Sequence, residues 1–191
     1  MSLNKKTVND IDFTDKRVLM RVDFNVPQDS SGNITNTQRI VGAMPTIQLV
    51  LEKGAKSVVL MSHLGRPDGC KNPTFTLKPV AEKLGELMGK TVTFLPDCVG
   101  EEVEKACADP EHGSIFVLEN MRYYAEEEGK GCKHEDGCPG AKCDKKAPSK
   151  GAACKKFKPS AEDVTKFRDS LAKLGDIYVN DYRRSRCWSS Y

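Results

Sequence analysis

Long apolar runs are absent from this sequence of 191 residues. No stretch approaches the roughly 18 residues that a membrane-spanning helix needs. The first ten residues, MSLNKKTVND, also lack the apolar segment of a secretory signal peptide. Together these absences argue against a membrane partner and predict a soluble protein of the cytoplasm. The 38% hydrophobic content is enough for one ordinary domain with a substantial core.

Strong net charge is absent as well. The formal charge is +3, and nine lysines against three acids between residues 130 and 158 supply all of this excess. The rest of the chain is slightly acidic, so the composition gives no reason to expect a nucleic-acid partner. A phosphate loop of the GxxxxGKS/T type is also missing, and no motif therefore indicates a nucleotide site.

The stretch from about Glu126 to Pro159 differs in composition from the rest of the chain. It is rich in Gly, Lys, Pro and Cys and has almost no large apolar residues. So little apolar surface cannot offset the entropy of ordering, and we predict a mobile surface insertion. Its soft side chains could ligate zinc, but CxxC spacing is missing and we expect no bound metal. A redox sensor is the other alternative, because neighbouring lysines could lower the pKa of a thiol. These side chains belong to Cys132, His134, Cys138, Cys143 and Cys154.

The eight cysteines would suit a disulfide framework in a short secreted chain. Because nothing here indicates secretion, we expect reduced thiols.

Strand and helix patterns alternate through the remaining sequence. Short β-branched runs predict strands at Val18 to Val22, Ser57 to Met61, Thr91 to Leu95, Ser114 to Leu118 and Asp176 to Asn180. Apolar residues at 3–4 spacing predict the helices between them. Expected helix signals are Thr76 and Ser160 as N-caps, Gly54, Gly89 and Gly175 as stops, and Pro45 as a kink. This alternation predicts an α/β fold with a parallel, Rossmann-like sheet and helices on both faces.

Polar side chains follow the predicted strands directly. Ligands of open α/β sheets bind beyond the carboxyl ends of the strands, so these residues are the first candidates for a site. Three arginines and a histidine at one edge favour a small, multiply anionic ligand such as a phosphorylated acid, because guanidinium groups bind phosphate with paired hydrogen bonds. Any one of these arginines alone could instead be a surface ion-pair partner, and the histidine alone could be a structural residue. The candidates are Asp23, Asn25, Arg39, His63, Arg66 and Arg122.

Four motifs at these positions resemble signatures of the phosphoglycerate kinase family. They are RVDFNVP at Arg21 to Pro27, ITNTQRI at Ile34 to Ile40, SVVLMSHLGRPDG at Ser57 to Gly69, and LENMRYYAEEEGKG at Leu118 to Gly131. The match runs in order to about Asp181. Residues 1–181 are therefore expected to form the N-terminal, substrate-binding domain of a normally two-domain, monomeric kinase, interrupted by the insertion at about 126–159.

The resemblance implies reversible phosphoryl transfer between 1,3-bisphosphoglycerate and ADP, which gives 3-phosphoglycerate and ATP in glycolysis. It places the glycerate ligand on this domain and Mg-ADP or Mg-ATP on a second domain. Carried over by motif, Asp23 and Asn25 would hold the hydroxyl and carboxyl end of the glycerate. His63, Arg66 and Arg122 would hold the phosphate that is not transferred. Arg39 would be the catalytic residue, steadying the transferring phosphoryl group. The remaining pocket residues would be Val22, Phe24, Gln38, Ser62, Gly65 and Met121.

The last ten residues depart from the family pattern. After Asp181 the family continues with AFGTAHRAH, whereas residues 182–191 read YRRSRCWSSY. We interpret this tail as a shifted reading frame or a truncated gene model, with a genuine divergent tail as the alternative. Without the family's His-Arg pair and the nucleotide domain, we expect weak 3-phosphoglycerate binding and no turnover. Two other functions stay open: a non-catalytic binding module for phosphorylated acids, and a metal or redox protein organised around the insertion.

Overall fold

Five strands form one parallel sheet. The computed structural model describes residues 6–133 and 155–181. These ranges contain two strands besides those of the sheet. In chain order the strands are β1 (Arg17–Arg21), β2 (Ser57–Met61), β3 (Val92–Leu95), β4 (Ser114–Leu118), β5 (Gly131–Lys133), β6 (Lys155–Phe157) and β7 (Ile177–Asn180). The sheet order is β3-β4-β2-β1-β7, and β5 and β6 form a separate antiparallel pair. All five residues of β2 are buried, as the continuous apolar run predicts for a central parallel strand.

The pairing register brings the carboxyl ends of the strands to one edge. Arg21 at the end of β1 lies opposite Met61 at the end of β2 and opposite Asn180 at the end of β7. Leu118 at the end of β4 lies opposite Leu95 at the end of β3. The loops that leave these strands therefore start at the same level.

Helices cover both faces of the sheet, which confirms the predicted fold class. They are α1 (Gln38–Glu52), α2 (Lys78–Met88), α3 (Glu101–Ala108), α4 (Ala125–Glu128) and α5 (Ala161–Ala172). On one face, Ile47 of α1 and Leu84 of α2 share a core with Leu60. On the other, Cys107 of α3 and Phe167 of α5 share a core with Val59. Leu60 and Val59 are adjacent in β2, so alternate strand residues feed the two cores. Among the helices of the described ranges, none is long and apolar enough to cross a bilayer.

Most predicted helix ends are correct, including the Ser160–Asp163 capping box of α5 and the left-handed Gly89 after α2. The expected N-cap at Thr76 is wrong, because α2 begins at Lys78 with Leu77 before it. The Thr76 hydroxyl accepts the Lys78 N–H at 3.3 Å and donates to the carboxylate of Glu119, which also accepts the Leu77 N–H at 2.8 Å. A side chain from the loop after β4 thus helps to start α2.

Gly175 does not end α5, as the sequence had suggested. The helix ends at Ala172, with Lys173 as its C-cap. A Cβ atom on Gly175 would lie 2.7 Å from the backbone nitrogen of Leu19. The glycine is therefore needed for the close approach to β1.

The predicted insertion has regular structure at both of its ends. It begins within α4, and the β5–β6 pair joins Lys133 to Lys155 across its base. The predictions of mobility and of no bound metal concern mainly residues 134–154, which lie outside the described residues. The same holds for the tail at 182–191.

Candidate functional site

Three loops meet at the carboxyl edge of the sheet and are tied together by buried hydrogen bonds. The Ser62 hydroxyl, 1% exposed, donates to the Val22 carbonyl and accepts the Phe24 N–H, both at 2.9 Å. The Met121 N–H donates to the Ser62 carbonyl at 3.1 Å. The loops after β1, β2 and β4 therefore hold one another, and the fold defines where their side chains lie.

Asn120 connects the β2 and β4 loops more strongly. Its fully buried amide nitrogen donates to the carbonyls of Leu64 at 2.7 Å and Phe75 at 2.9 Å. Its amide oxygen accepts the Arg122 N–H at 3.1 Å. We did not predict a site role for Asn120, although it stands in the polar stretch after β4; it fixes the β2 loop, which carries His63, to the β4 loop, which carries Arg122.

Gly65 occupies a crowded turn in the β2 loop. Its φ is +61°, and a Cβ atom would lie 2.4 Å from the ring of Phe75. Its N–H donates to the Asn25 amide oxygen and its carbonyl accepts from Arg122, both at 2.9 Å. Only glycine fits this backbone without displacing Phe75, and both of its polar groups join site residues to the loop.

Asp23 and Arg39 form an ion pair between the β1 loop and the start of α1. The Asp23 side chain is 13% exposed and that of Arg39 is 35% exposed. Arg39 thus reaches the strand edge from the second residue of its helix, with part of its guanidinium open to a ligand.

Two further arginines are held by α4. Nε of Arg122 lies 2.7 Å from Glu128, and Arg21 lies 2.7 Å from Glu127. Sequence reasoning missed Arg21, although an arginine at the end of a buried strand is unusual and indicates that the strand ends at a polar site. It also missed both glutamates.

His63 lies among these charges and is 3% exposed. Burial, followed by the positive charges of Arg122 and Arg21, lowers the pKa of His63 from 6.5 to about 4. Asp23 and Arg39 also contribute to this pKa, so His63 is close to four charged groups of the edge. The imidazole is therefore neutral at physiological pH. Since so little of it is exposed, direct contact with a ligand would require its neighbours to shift.

The other predicted site residues divide into exposed and buried groups. Arg66 and Gln38 are exposed, and Arg66 makes no hydrogen bond or ion pair within the described part of the chain. Val22 and Phe24 are fully buried and Met121 is 1% exposed, so these three support the loops from the core and do not present a surface to a ligand.

The carboxylates beside the site arginines do not fit Mg²⁺, because each is already paired with one: Asp23 with Arg39, Glu127 with Arg21, and Glu128 with Arg122. Across residues 6–133 and 155–181, no group of three or more His, Cys, Asp or Glu side chains is arranged to hold a metal ion. The donors that the edge offers are cationic and suit an anion.

A concavity of about 270 Å³ lies between α4 and α5, away from the strand edge. The rings of Tyr124 and Phe167 are 4.9 Å apart there, beside Lys166. Lys166 is already paired with Glu162 at 2.7 Å. This surface lacks converging cations, so the strand edge is the better candidate for an anionic ligand.

We expect His63 to make the protein less stable as the pH falls from about 7 to 4.5. The folded pKa of about 4 lies below the unfolded value of 6.5, so between them the unfolded chain binds more protons and unfolding becomes more favourable. At about 1.4 kcal/mol for each pKa unit, the full loss is up to about 3 kcal/mol. Urea unfolding at both pH values should show a smaller loss for His63→Gln than for the parent. An equal loss in both proteins would contradict this account of His63.

Comparisons with known proteins agree on one family. The family profile described as phosphoglycerate kinase matches residues 8–182. A probable phosphoglycerate kinase of Caenorhabditis elegans is 56% identical over 180 residues, and the phosphoglycerate kinase of Schistosoma mansoni is 52% identical over 181 residues. These matches cover 94% and 95% of this chain and 39% of each relative. The chain thus spans about two-fifths of the length of the curated relatives it matches.

Solved structures give the same result. The crystal structure of phosphoglycerate kinase from Pyrococcus horikoshii OT3 matches with a TM-score of 0.66 and 28% identity, covering 91% of this chain and 36% of that one. The structure of phosphoglycerate kinase from Coxiella burnetii matches with a TM-score of 0.61 and 31% identity, covering 91% and 34%.

Proposed function

The chain belongs to the phosphoglycerate kinase family, and on this premise we propose that the carboxyl edge of its sheet binds 3-phosphoglycerate or 1,3-bisphosphoglycerate. The observation that carries the proposal is the convergence of Arg21, Arg39 and Arg122 around the neutral His63. Guanidinium groups keep their charge at any physiological pH and can fork across two phosphate oxygens.

Within this site we propose that Asp23 and Asn25 hold the glycerate hydroxyl and carboxyl end. The Asn25 oxygen accepts from Gly65 at 2.9 Å, which leaves its amide nitrogen to donate to a ligand. Arg66 and Arg122 hold the phosphate that is not transferred, and His63 joins them when its neighbours shift to expose the imidazole. The exposed guanidinium of Arg66 has all its donors available within the described structure, which supports a role in capturing the phosphate.

We propose the reaction of the family, phosphoryl transfer between 1,3-bisphosphoglycerate and ADP, with Arg39 as the catalytic residue of this chain. In-line phosphoryl transfer depends on positioning and on charge stabilisation at the equatorial oxygens. Asp23 orients the Arg39 guanidinium while the rest of that group is left to a phosphoryl group. A Mg-nucleotide supplies the other reacting group, and the family resemblance assigns its binding to a second domain.

Calorimetric titration of the 191-residue chain with 3-phosphoglycerate and, separately, with Mg-ADP tests this proposal. We expect 3-phosphoglycerate to bind, and Arg122→Ala to weaken it roughly ten- to a hundred-fold, because each charge-assisted hydrogen bond contributes about 1.5–3 kcal/mol. Arg168→Ala removes the same charge from an exposed residue of α5 and should leave binding unchanged. Tighter binding of Mg-ADP than of 3-phosphoglycerate, or equal effects of the two variants, would contradict the assignment.

A further inference from the structure

The four-residue helix α4 holds two of the site's arginines. Glu127 pairs with Arg21 and Glu128 pairs with Arg122, each at 2.7 Å. These four side chains are only 17–28% exposed. Ion pairs that are partly shielded from solvent are screened less by salt than pairs on the open surface are.

We propose that Glu127 and Glu128 are positioning residues, which fix the guanidinium groups of Arg21 and Arg122 for binding of the phosphate of the glycerate ligand. The inference rests on the proposed function of the site. The inference goes beyond the proposed function by assigning a role to two residues that need not contact the ligand.

The donors of Arg122 leave room for this role. The Nε atom of Arg122 lies 2.7 Å from a carboxylate oxygen of Glu128, and one of its four Nη donors goes to the Gly65 carbonyl. Three donors remain, and a bidentate contact to phosphate needs two. The two anchors therefore fix the plane of the guanidinium without using up its capacity for the ligand.

The backbone that carries the glutamates is itself held in place. An isolated single helical turn is unstable, so α4 needs support from its surroundings. Ala125 is 4% exposed, and the Tyr124 ring packs 4.9 Å from that of Phe167 in α5. The Tyr124 hydroxyl donates to the carboxylate of Asp97 after β3. The carboxylates are thus presented from a fixed base.

Two opposing effects of the glutamates have to be weighed. Their negative charge reduces the attraction of the site for an anion, whereas their ion pairs order two long side chains before the ligand arrives. The carboxylate of Glu128 faces the Nε edge of Arg122, so a phosphate on the remaining donors is nearer to the guanidinium than to the carboxylate. Ordering an arginine only on binding weakens the complex. The inference requires ordering to be the larger effect, and the affinity of the double variant decides between the two.

Glu126 provides a matched control within the same helix. The sequence shows three consecutive glutamates, but within the described ranges Glu126 has no ion pair. Its side chain lines the concavity between α4 and α5 and is not held by the arginines of the edge. Glu126→Ala removes the same charge from the same helix without releasing an arginine.

Calorimetry with 3-phosphoglycerate on Glu128→Ala, Glu127→Ala, the double variant and Glu126→Ala tests the inference. Each single variant at 127 or 128 should weaken binding about three- to ten-fold, and the double variant roughly ten- to a hundred-fold. Glu126→Ala should bind as the parent does. Glu128→Gln keeps an acceptor oxygen and should recover part of the loss. Unchanged or tighter binding in the double variant would overturn the inference.

A double-mutant cycle distinguishes positioning from a general loss of structure. In an Arg122→Ala background, Glu128→Ala should cause no further loss of binding and should recover part of it by removing an unpaired carboxylate, because its positioning effect acts through that arginine. An equal loss in both backgrounds would overturn the inference.

An NMR measurement of the Arg122 Nε–H group separates this inference from the proposed function. Its ¹⁵N order parameter should be high in the parent and low in Glu128→Ala, whether or not 3-phosphoglycerate binds. Equal order parameters in the two proteins would overturn the positioning role. A parent that shows the high order parameter but does not bind 3-phosphoglycerate would contradict the proposed function alone.

Discussion

Replacing Arg39 with alanine should lower turnover by roughly a hundred- to a thousand-fold in a two-domain kinase of this family that carries these residues, because a charge donor aimed at a transition state contributes about 2.7–4 kcal/mol. Binding of 3-phosphoglycerate should fall much less. The Arg39 side chain is 35% exposed and approaches the edge from α1, whereas the phosphate that is not transferred is assigned to other cations. Steady-state kinetics beside equilibrium titration measure the two effects.

The control for Arg39 has to account for its partner. Arg39→Ala leaves the carboxylate of Asp23, 13% exposed, without its ion pair, and that unpaired charge would repel an anionic ligand. Arg39→Lys keeps a positive charge near Asp23 but loses the fork, so it should retain binding while turnover remains low. Equal losses of binding and turnover in Arg39→Lys would show that Arg39 only holds the substrate.

Gly65→Ala should destabilise the fold by about 2–5 kcal/mol, the sum of a left-handed backbone cost and an overpacking cost. The φ of +61° is unfavourable for alanine, and its Cβ would lie 2.4 Å from the Phe75 ring. Any shift of Gly65 also strains its hydrogen bonds to Asn25 and Arg122. Stability and 3-phosphoglycerate affinity should therefore both fall.

Gly89 offers a matched control for this substitution. It has the same φ of +61°, but nothing lies within 4 Å of the position that a Cβ would take. Gly89→Ala should therefore lose only the backbone cost, about 1–2 kcal/mol. Urea unfolding of both variants isolates the steric part. Equal destabilisation would mean that Phe75 moves aside freely.

The strands could be predicted from the sequence because a buried strand consists mostly of apolar residues. β2 and β4 are buried on both faces, so each reads as a continuous apolar run with clear ends, and both were predicted with their observed bounds. The edge strands β3 and β7 are partly exposed, and each begins one residue later than predicted. The alternation of these runs with helical periodicity was enough to predict the parallel, two-faced architecture.

Features that depend on distant partners could not be predicted. Thr76 has the chemistry of an N-cap, but Glu119, 43 residues away, binds its hydroxyl. Gly175 resembles a helix stop, yet the close approach to Leu19 is what requires a glycine there. The neighbouring sequence cannot show whether such a residue caps or ends a helix or instead contacts a distant residue.

Part of the candidate site could also be predicted from the sequence. Motif resemblance identified Asp23, Arg39, His63 and Arg122, which the fold brings to one edge. The ion pairs between distant residues could not be predicted from the sequence. Arg21 and Glu127 are separated by 106 residues, and three consecutive glutamates are typical of an ordinary solvent-exposed helix. The burial of His63 and its lowered pKa likewise arise from packing and from cations on other loops.

An amide NMR titration of the 191-residue chain with 3-phosphoglycerate tests the central claim most directly, because it locates the ligand. If the anion binds the carboxyl edge of the sheet, the amides of Asn25, Gly65 and Arg122 should shift in a saturable manner. Those of Val99 and Phe167 in the concavity between α4 and α5 should remain nearly constant. Shifts concentrated at Val99 and Phe167, or no saturable shift at the edge, would contradict the account.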